Sequence, residues 1–218
     1  MGTITRSFAN NIGTSGILKA GAFNNASLNN VTALNAAIAT GNMVLISSQT
    51  ASSSASISFT TGIDSTYKEY QFYFINIHSQ NDDVAFQFNL STDGGSNYNV
   101  TKTTTLFYYN HDEADTGTAL SYDTSVDLAQ STSDQIIIGV LGNDNDQNVS
   151  GALTLFNPAS TTYVKHFLSN VNNSSYNNYT VGTFMAGYAN TTSAVNAIRF
   201  KMGSGNIDDG TILMFGIK

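Results

Sequence analysis

The spacing of apolar side chains changes once along this chain, at Gly41, and that change limits the fold more than any other feature. Before it, Leu28, Val31, Leu34 and Ile38 stand three or four residues apart, the spacing of one helix face, with Ser27 placed to cap the start and Gly41 the end. After it, apolar and polar residues alternate. Val84, Phe86, Phe88 and Leu90 are separated by Ala85, Gln87 and Asn89, and Ile198, Phe200 and Met202 by Arg199 and Lys201. A period of two belongs to a strand with one face buried and one wet. Segments 70–77, 135–141 and 211–217 are apolar on both sides, which puts them centrally in a sheet or at a protein contact. Further strands are expected over 43–47, 56–59, 104–109, 151–156, 162–168 and 179–188. The total is about ten or eleven, parted by turn residues such as Asp93-Gly94-Gly95, Gly142-Asn143-Asp144 and Asp208-Asp209-Gly210. Many short strands without the crossover helices of a parallel sheet predict an all-β fold. The expectation is a jelly-roll-like antiparallel β-sandwich over 43–218, behind an N-terminal attachment segment, 1–42, that is extended and carries one short helix at about 28–39.

In the attachment segment, Ile4, Phe8, Ile12, Ile17 and Phe23 lack the regular spacing of a self-contained element. A partner surface is expected to cover them. The helix at 28–39 is too short to be stable alone in water, so its stripe of Leu28, Val31, Leu34 and Ile38 is expected to join copies of the chain. These nine residues are the candidate contacts for attachment and oligomerisation.

Charged residues make up 11% of the chain, against about a quarter in a typical domain, so its polar surface must come from Asn, Ser, Thr and Gln. A net charge of −7 with eight Lys and Arg scattered singly offers no basic patch for phosphates, which argues against a nucleic-acid partner. There is no cysteine to form disulfides or thiolate metal sites. The start lacks the pattern of a secretory signal and no run of about 18 apolar residues occurs, so neither export by that route nor membrane insertion is expected.

Little here suggests catalysis. G-x-S-x-G is missing, and only two glutamates, Glu69 and Glu113, could contribute to a carboxylate pair of the glycosidase kind. Residues 110–133 read as a polar surface excursion whose cluster of His111, Asp112, Glu113 and Asp115 is a solvated loop. Residues 143–148 are rich in Asn and Asp but lack the glycine and glutamate that complete a calcium loop, and are read as a turn. His166 alternates with Val164 and Leu168, which predicts a buried histidine. The expectation is a protein that is not an enzyme and has no cofactor and no metal site. Tyr108, Tyr109, Tyr122, Tyr176 and Tyr179, with His111, are the candidate loop contacts for a host-surface glycan, because tyrosine combines apolar area with a polar tip.

Four stretches carry a resemblance: the opening MGTITRSFAN, the segment YKEYQF at 67–72, the motif STDGGSNY at 91–98 and the ending GTILMFGI at 210–217. In these the chain resembles a group of marine bacteriophage virion proteins, tail-fibre-like or capsid-decorating. The resemblance implies a non-enzymatic structural protein on the phage particle, assembled in the host cytoplasm and bound to other virion proteins. It also implies a homo-oligomer, with three copies expected around an axis. A receptor- or glycan-binding module acting in host adhesion is the alternative.

Overall fold

The computed structural model describes residues 42–218. No α-helix occurs among them; they form twelve strands, every pair antiparallel. These are β1 (Met43–Thr50), β2 (Ile57–Phe59), β3 (Glu69–Ser79), β4 (Val84–Ser91), β5 (Lys102–Asp112), β6 (Thr118–Tyr122), β7 (Gln135–Leu141), β8 (Val149–Phe156), β9 (Lys165–Ser174), β10 (Tyr179–Ala189), β11 (Ala197–Met202) and β12 (Ile207–Ile217). The helix expected at 28–39 and the nine candidate attachment residues lie outside the described residues.

One sheet runs β1-β12-β3-β8-β9-β10-β5-β6 and the other β2-β11-β4-β7. Removing β5, β6, β9 and β10 leaves β1-β12-β3-β8 opposite β2-β11-β4-β7, with the chain crossing between sheets at every step except β4 to β7, which pair within the small sheet. That is the strand order of a jelly roll. The other four strands arrive as two hairpin-like excursions and extend the large sheet sideways from β8.

The two sheets are joined by aromatic rings. Phe72 and Phe74 of β3 point inward and meet Phe59 of β2, Phe86 of β4 and Phe200 of β11. The Phe200 ring has five aromatic neighbours, with centroids 5.2–6.4 Å away. All of these side chains are essentially without solvent exposure. Each such pair adds about 0.5–1.5 kcal/mol beyond the burial of its area.

Strict alternation fails in β3, where Ile75 and Asn76 are both exposed and Ile77 is buried. Asn76 adopts φ 50°, and the register with β8 slips between Phe74 and Ile77. This bulge returns Ile77 to the core. Gly210 lies across from it at φ 112°, where a Cβ would stand 2.5 Å from the Asn76 carbonyl oxygen.

Four expectations need correction. The excursion at 110–133 contains a strand, β6, which pairs with β5 from Phe107↔Tyr122 to His111↔Thr118. His166 is exposed rather than buried, because β9 turns Lys165, Phe167 and Ser169 inward and leaves His166 and Leu168 outside. Phe167 sets that phase by docking on Phe88 of β4, centroids 5.2 Å apart. Residues 70–77 and 211–217 are central in their sheet and 135–141 form β7, the edge of the small sheet, but Asp208-Asp209-Gly210, expected as a turn, is part of β12, which pairs there with β3 through shifts of register. Tyr108, Tyr109, His111, Tyr122 and Tyr179 stand on strands, so of the six candidate loop residues only Tyr176 occupies a turn.

The motif at 91–98 closes the turn after β4. The Asp93 carboxylate accepts from Ser91 Oγ at 2.6 Å, Asn97 Nδ2 at 2.7 Å and the Asn97 backbone N–H at 2.9 Å. Those bonds favour the ionised form and lower its pKa to about 2.

Candidate functional site

The small sheet is half as wide as the large one, so facing strands run out at β7. Beyond that edge the inner face of β10, β5 and β6 bounds a cleft of about 500 Å³. Strand alternation decides what lines it. Every second residue faces in, which brings Leu106, Tyr108 and Asn110 from β5 beside Tyr179, Val181 and Thr183 from β10. Ile136, Ile138 and Val140 of β7 form the opposite wall, which accounts for the apolar second side of that strand. Asp123 and Asn177 stand at the rim.

An apolar floor with a few polar groups converging on it is the usual make-up of a ligand pocket. Tyr108 and Tyr179 are half-buried with part of each side chain packed on the core. One Asp123 oxygen accepts from the N–H and hydroxyl of Ser125, at 3.0 and 2.6 Å, leaving the other oxygen available. Asn177 accepts from Ser175 Oγ at 2.6 Å through Oδ1, so its NH2 group remains a donor. Two aromatic faces, an amide and a carboxylate suit a ligand with both apolar and hydroxyl-bearing surfaces.

The other tyrosines face the opposite way. Tyr109 and Tyr122 lie on the outer face of the extension with Phe107, Leu120 and Phe184. Phe107 and Phe184 stack at 5.5 Å, and the Tyr109 ring covers Gly182, where any Cβ would collide with it. This face is unusually apolar for an exposed one: Leu120 is 74% and Tyr122 49% exposed. Tyr176 stands apart in the β9–β10 turn, its backbone N–H donating to the Val140 carbonyl at 3.2 Å.

His111 also points outward, 3.1 Å from Asp115. Its neighbour Asp112 is committed to the turn between β5 and β6, accepting from the Thr116 hydroxyl and from the N–H groups of Thr116 and Gly117, both at 2.8 Å. The Thr116 and Gly117 bonds hold its carboxyl below the usual range. Among the described residues no group of three or more His, Asp or Glu side chains is placed to hold a metal ion. At 144–147 the chain forms a turn closed by the Gln147 N–H on the Asp144 carbonyl at 2.9 Å.

Of the six residues singled out in the sequence, the structure brings Tyr108 and Tyr179 into the cleft and puts Tyr109, His111 and Tyr122 on the outer face. It adds Leu106, Asn110, Asp123 and Asn177, whose place depends on strand pairing across β5, β6 and β10. No protein-family model matches the chain, and no curated protein or solved structure is similar enough to count as a relative.

Proposed function

We propose that this chain is a non-enzymatic structural protein of a bacteriophage particle, displayed as a fibre component or capsid decoration and docked through residues 1–42. The observation that carries the reading is the outer face of the β10-β5-β6 extension, where Phe107, Leu120 and Tyr122 are 38%, 74% and 49% exposed beside Tyr109 and Phe184. A monomer gains nothing from such a face, whereas repeated copies around a symmetry axis bury it. The jelly-roll order agrees with this use, since the architecture recurs in viral capsid domains, and the four stretches resembling phage virion proteins point the same way.

Two measurements test it. Particles of the phage that encodes the chain, purified and analysed by peptide mass spectrometry and gold-labelled antibody, should contain it in many copies. Particles free of the chain overturn the proposal. In solution the full chain should be a trimer by light scattering, and Leu120→Asp should dissociate it.

A second reading, a module that binds a host-surface glycan, is favoured by the cleft with Tyr108, Tyr179, Asn110, Asn177 and Asp123. Sugar rings present an apolar face for tyrosine and hydroxyls for the amides and carboxylate. Saturable binding on a glycan array, lost in Tyr108→Ala, supports this reading; binding that survives the substitution removes the cleft from it.

A further inference from the structure

Two lysines have no solvent exposure, Lys102 at the start of β5 and Lys165 at the start of β9. A buried ammonium is strongly disfavoured unless an opposite charge pairs with it, and neither has a carboxylate within salt-bridge distance among the described residues. Lys165 Nζ donates to the backbone carbonyls of Tyr163 and Thr191, both at 3.0 Å, and meets no side-chain amide. Lys102 differs. Its Nζ lies 2.8 Å from the Val100 carbonyl and 2.7 Å from Oδ1 of Asn89, a side chain 1% exposed.

The Asn89 amide is held at four points. Oδ1 also accepts from the Leu90 N–H at 2.9 Å, while Nδ2 donates to the Thr132 carbonyl at 3.0 Å and to Asp134 Oδ1 at 2.9 Å. Donors on one side and acceptors on the other fix which end is oxygen and which nitrogen. Asp134 is anchored in turn by Arg199 at 3.2 Å and Lys201 at 3.5 Å, with the Arg199 guanidinium over the Tyr98 ring at 4.6 Å. An amine, a polarised amide carbon and a carboxylate at the leaving nitrogen are therefore gathered around one buried amide.

We infer that Lys102 and Asn89 join in an intramolecular isopeptide bond, formed without any other reactant once the sandwich has folded. The neutral Lys102 Nζ attacks Asn89 Cγ, and the carbonyl electron pair moves onto Oδ1, where the Leu90 N–H stabilises it. The tetrahedral carbon then reforms its carbonyl and expels Nδ2. The proton that Nζ loses passes across the tetrahedral centre to Nδ2, which Asp134 Oδ1 holds at 2.9 Å and which leaves as ammonia. One C–N bond forms and one breaks, and nothing is oxidised or reduced.

The electrostatics support each role. Burial lowers the Lys102 ammonium to about 8, against an upward pull from Asp134, so the nucleophilic amine is within reach near neutral pH. Burial pushes the Asp134 carboxyl up, but the Asn89 hydrogen bond and the charges of Arg199 and Lys201 outweigh it and keep the group ionised, as the acceptor that orients Nδ2 must be. The product also removes the buried charge. Because Asn89 belongs to β4 and Lys102 to β5, the bond ties the small sheet to the large one at the root of the extension.

Mass spectrometry of the full chain decides the matter. The expected mass is lower than that of the sequence by one ammonia, about 17 Da. Trypsin, unable to cut after an acylated Lys102, should release one peptide spanning 69–165 with the same deficit. Asn89→Ala and Lys102→Arg should each restore the full mass, and Asp134→Ala should slow the appearance of the deficit at least tenfold. A wild-type chain of full mass, cut freely after Lys102 following prolonged incubation at alkaline pH, overturns the inference without need of any variant. A deficit that persists in Lys102→Arg overturns it too, by placing the loss elsewhere.

Discussion

The jelly-roll half of the molecule and its lateral extension are built from similar strands, yet they bury different things. In the half where β1-β12-β3-β8 faces β2-β11-β4-β7, each inward residue meets a second sheet, and Phe200 sits among five rings. In β10-β5-β6 the second sheet has ended. The inward residues Leu106, Tyr108 and Val181 line a cleft, and the outward residues Phe107, Tyr109 and Tyr122 remain apolar and exposed. The contrast teaches that alternation specifies two faces, while the neighbouring layer decides whether a face becomes core, pocket or contact surface.

The largest expected effect comes from attacking the closed half. Phe200→Ala should cost about 3–5 kcal/mol, because a ring with aromatic neighbours on both sheets leaves a cavity that cannot collapse. Chemical denaturation followed by fluorescence measures it, and a loss below about 1 kcal/mol would mean that the two layers are not held chiefly by these rings.

Next comes the bulge that keeps Ile77 inside. Gly210→Ala places a Cβ against the Asn76 carbonyl oxygen at 2.5 Å, in a backbone conformation that favours glycine, and should cost about 2 kcal/mol. Equal thermal stability of variant and wild type would show that the bulge gives way easily.

A smaller effect is expected in the extension. Leu106→Ala should cost about 1–2 kcal/mol, at the low end for such a change, because its side chain borders a cleft that water can enter. Backbone amides of β5 and β6 should also exchange with solvent faster than those of β3 and β12. If the rates are equal, the two regions open as one unit and the contrast drawn above fails for dynamics.

The smallest effect concerns the turn at Asp93. Its carboxyl has an ordinary value of 3.8, lowered to about 2 by Ser91 and Asn97. A depressed folded-state pKa contributes stability above the ordinary value and loses it as pH falls toward 2. The stability difference between wild type and Asp93→Asn should therefore shrink between pH 5 and pH 2. A difference that stays constant would assign the turn to hydrogen bonds alone.

Much of the fold was legible because period-two alternation records burial directly: Val84, Phe86, Phe88 and Leu90 are all inward in β4. Where both faces of a strand carry mixed residues, the signal fails. In β9 the inward set includes Lys165 and Asn173 while Leu168 faces out, so its spacing from Val164 and Leu168 puts His166 on the wrong side. Strand β6 carries no alternation signal for a related reason, since all five of its residues are exposed or half-buried and among the described residues it pairs with β5 alone.

The sequence by itself determined the all-β class of the described residues and the turns at 93–95 and 142–144, because each follows from local preference and periodicity. Tertiary structure alone decided the jelly-roll order, the unequal width of the two sheets and hence the cleft. It also decided the meeting of Lys102, Asn89 and Asp134, which are brought together from β5, β4 and the approach to β7. The physical reason is that alternation says which residues share a face but carries no record of which strand lies opposite. That depends on long-range pairing, and its outcome is fixed only when all twelve strands close on one core.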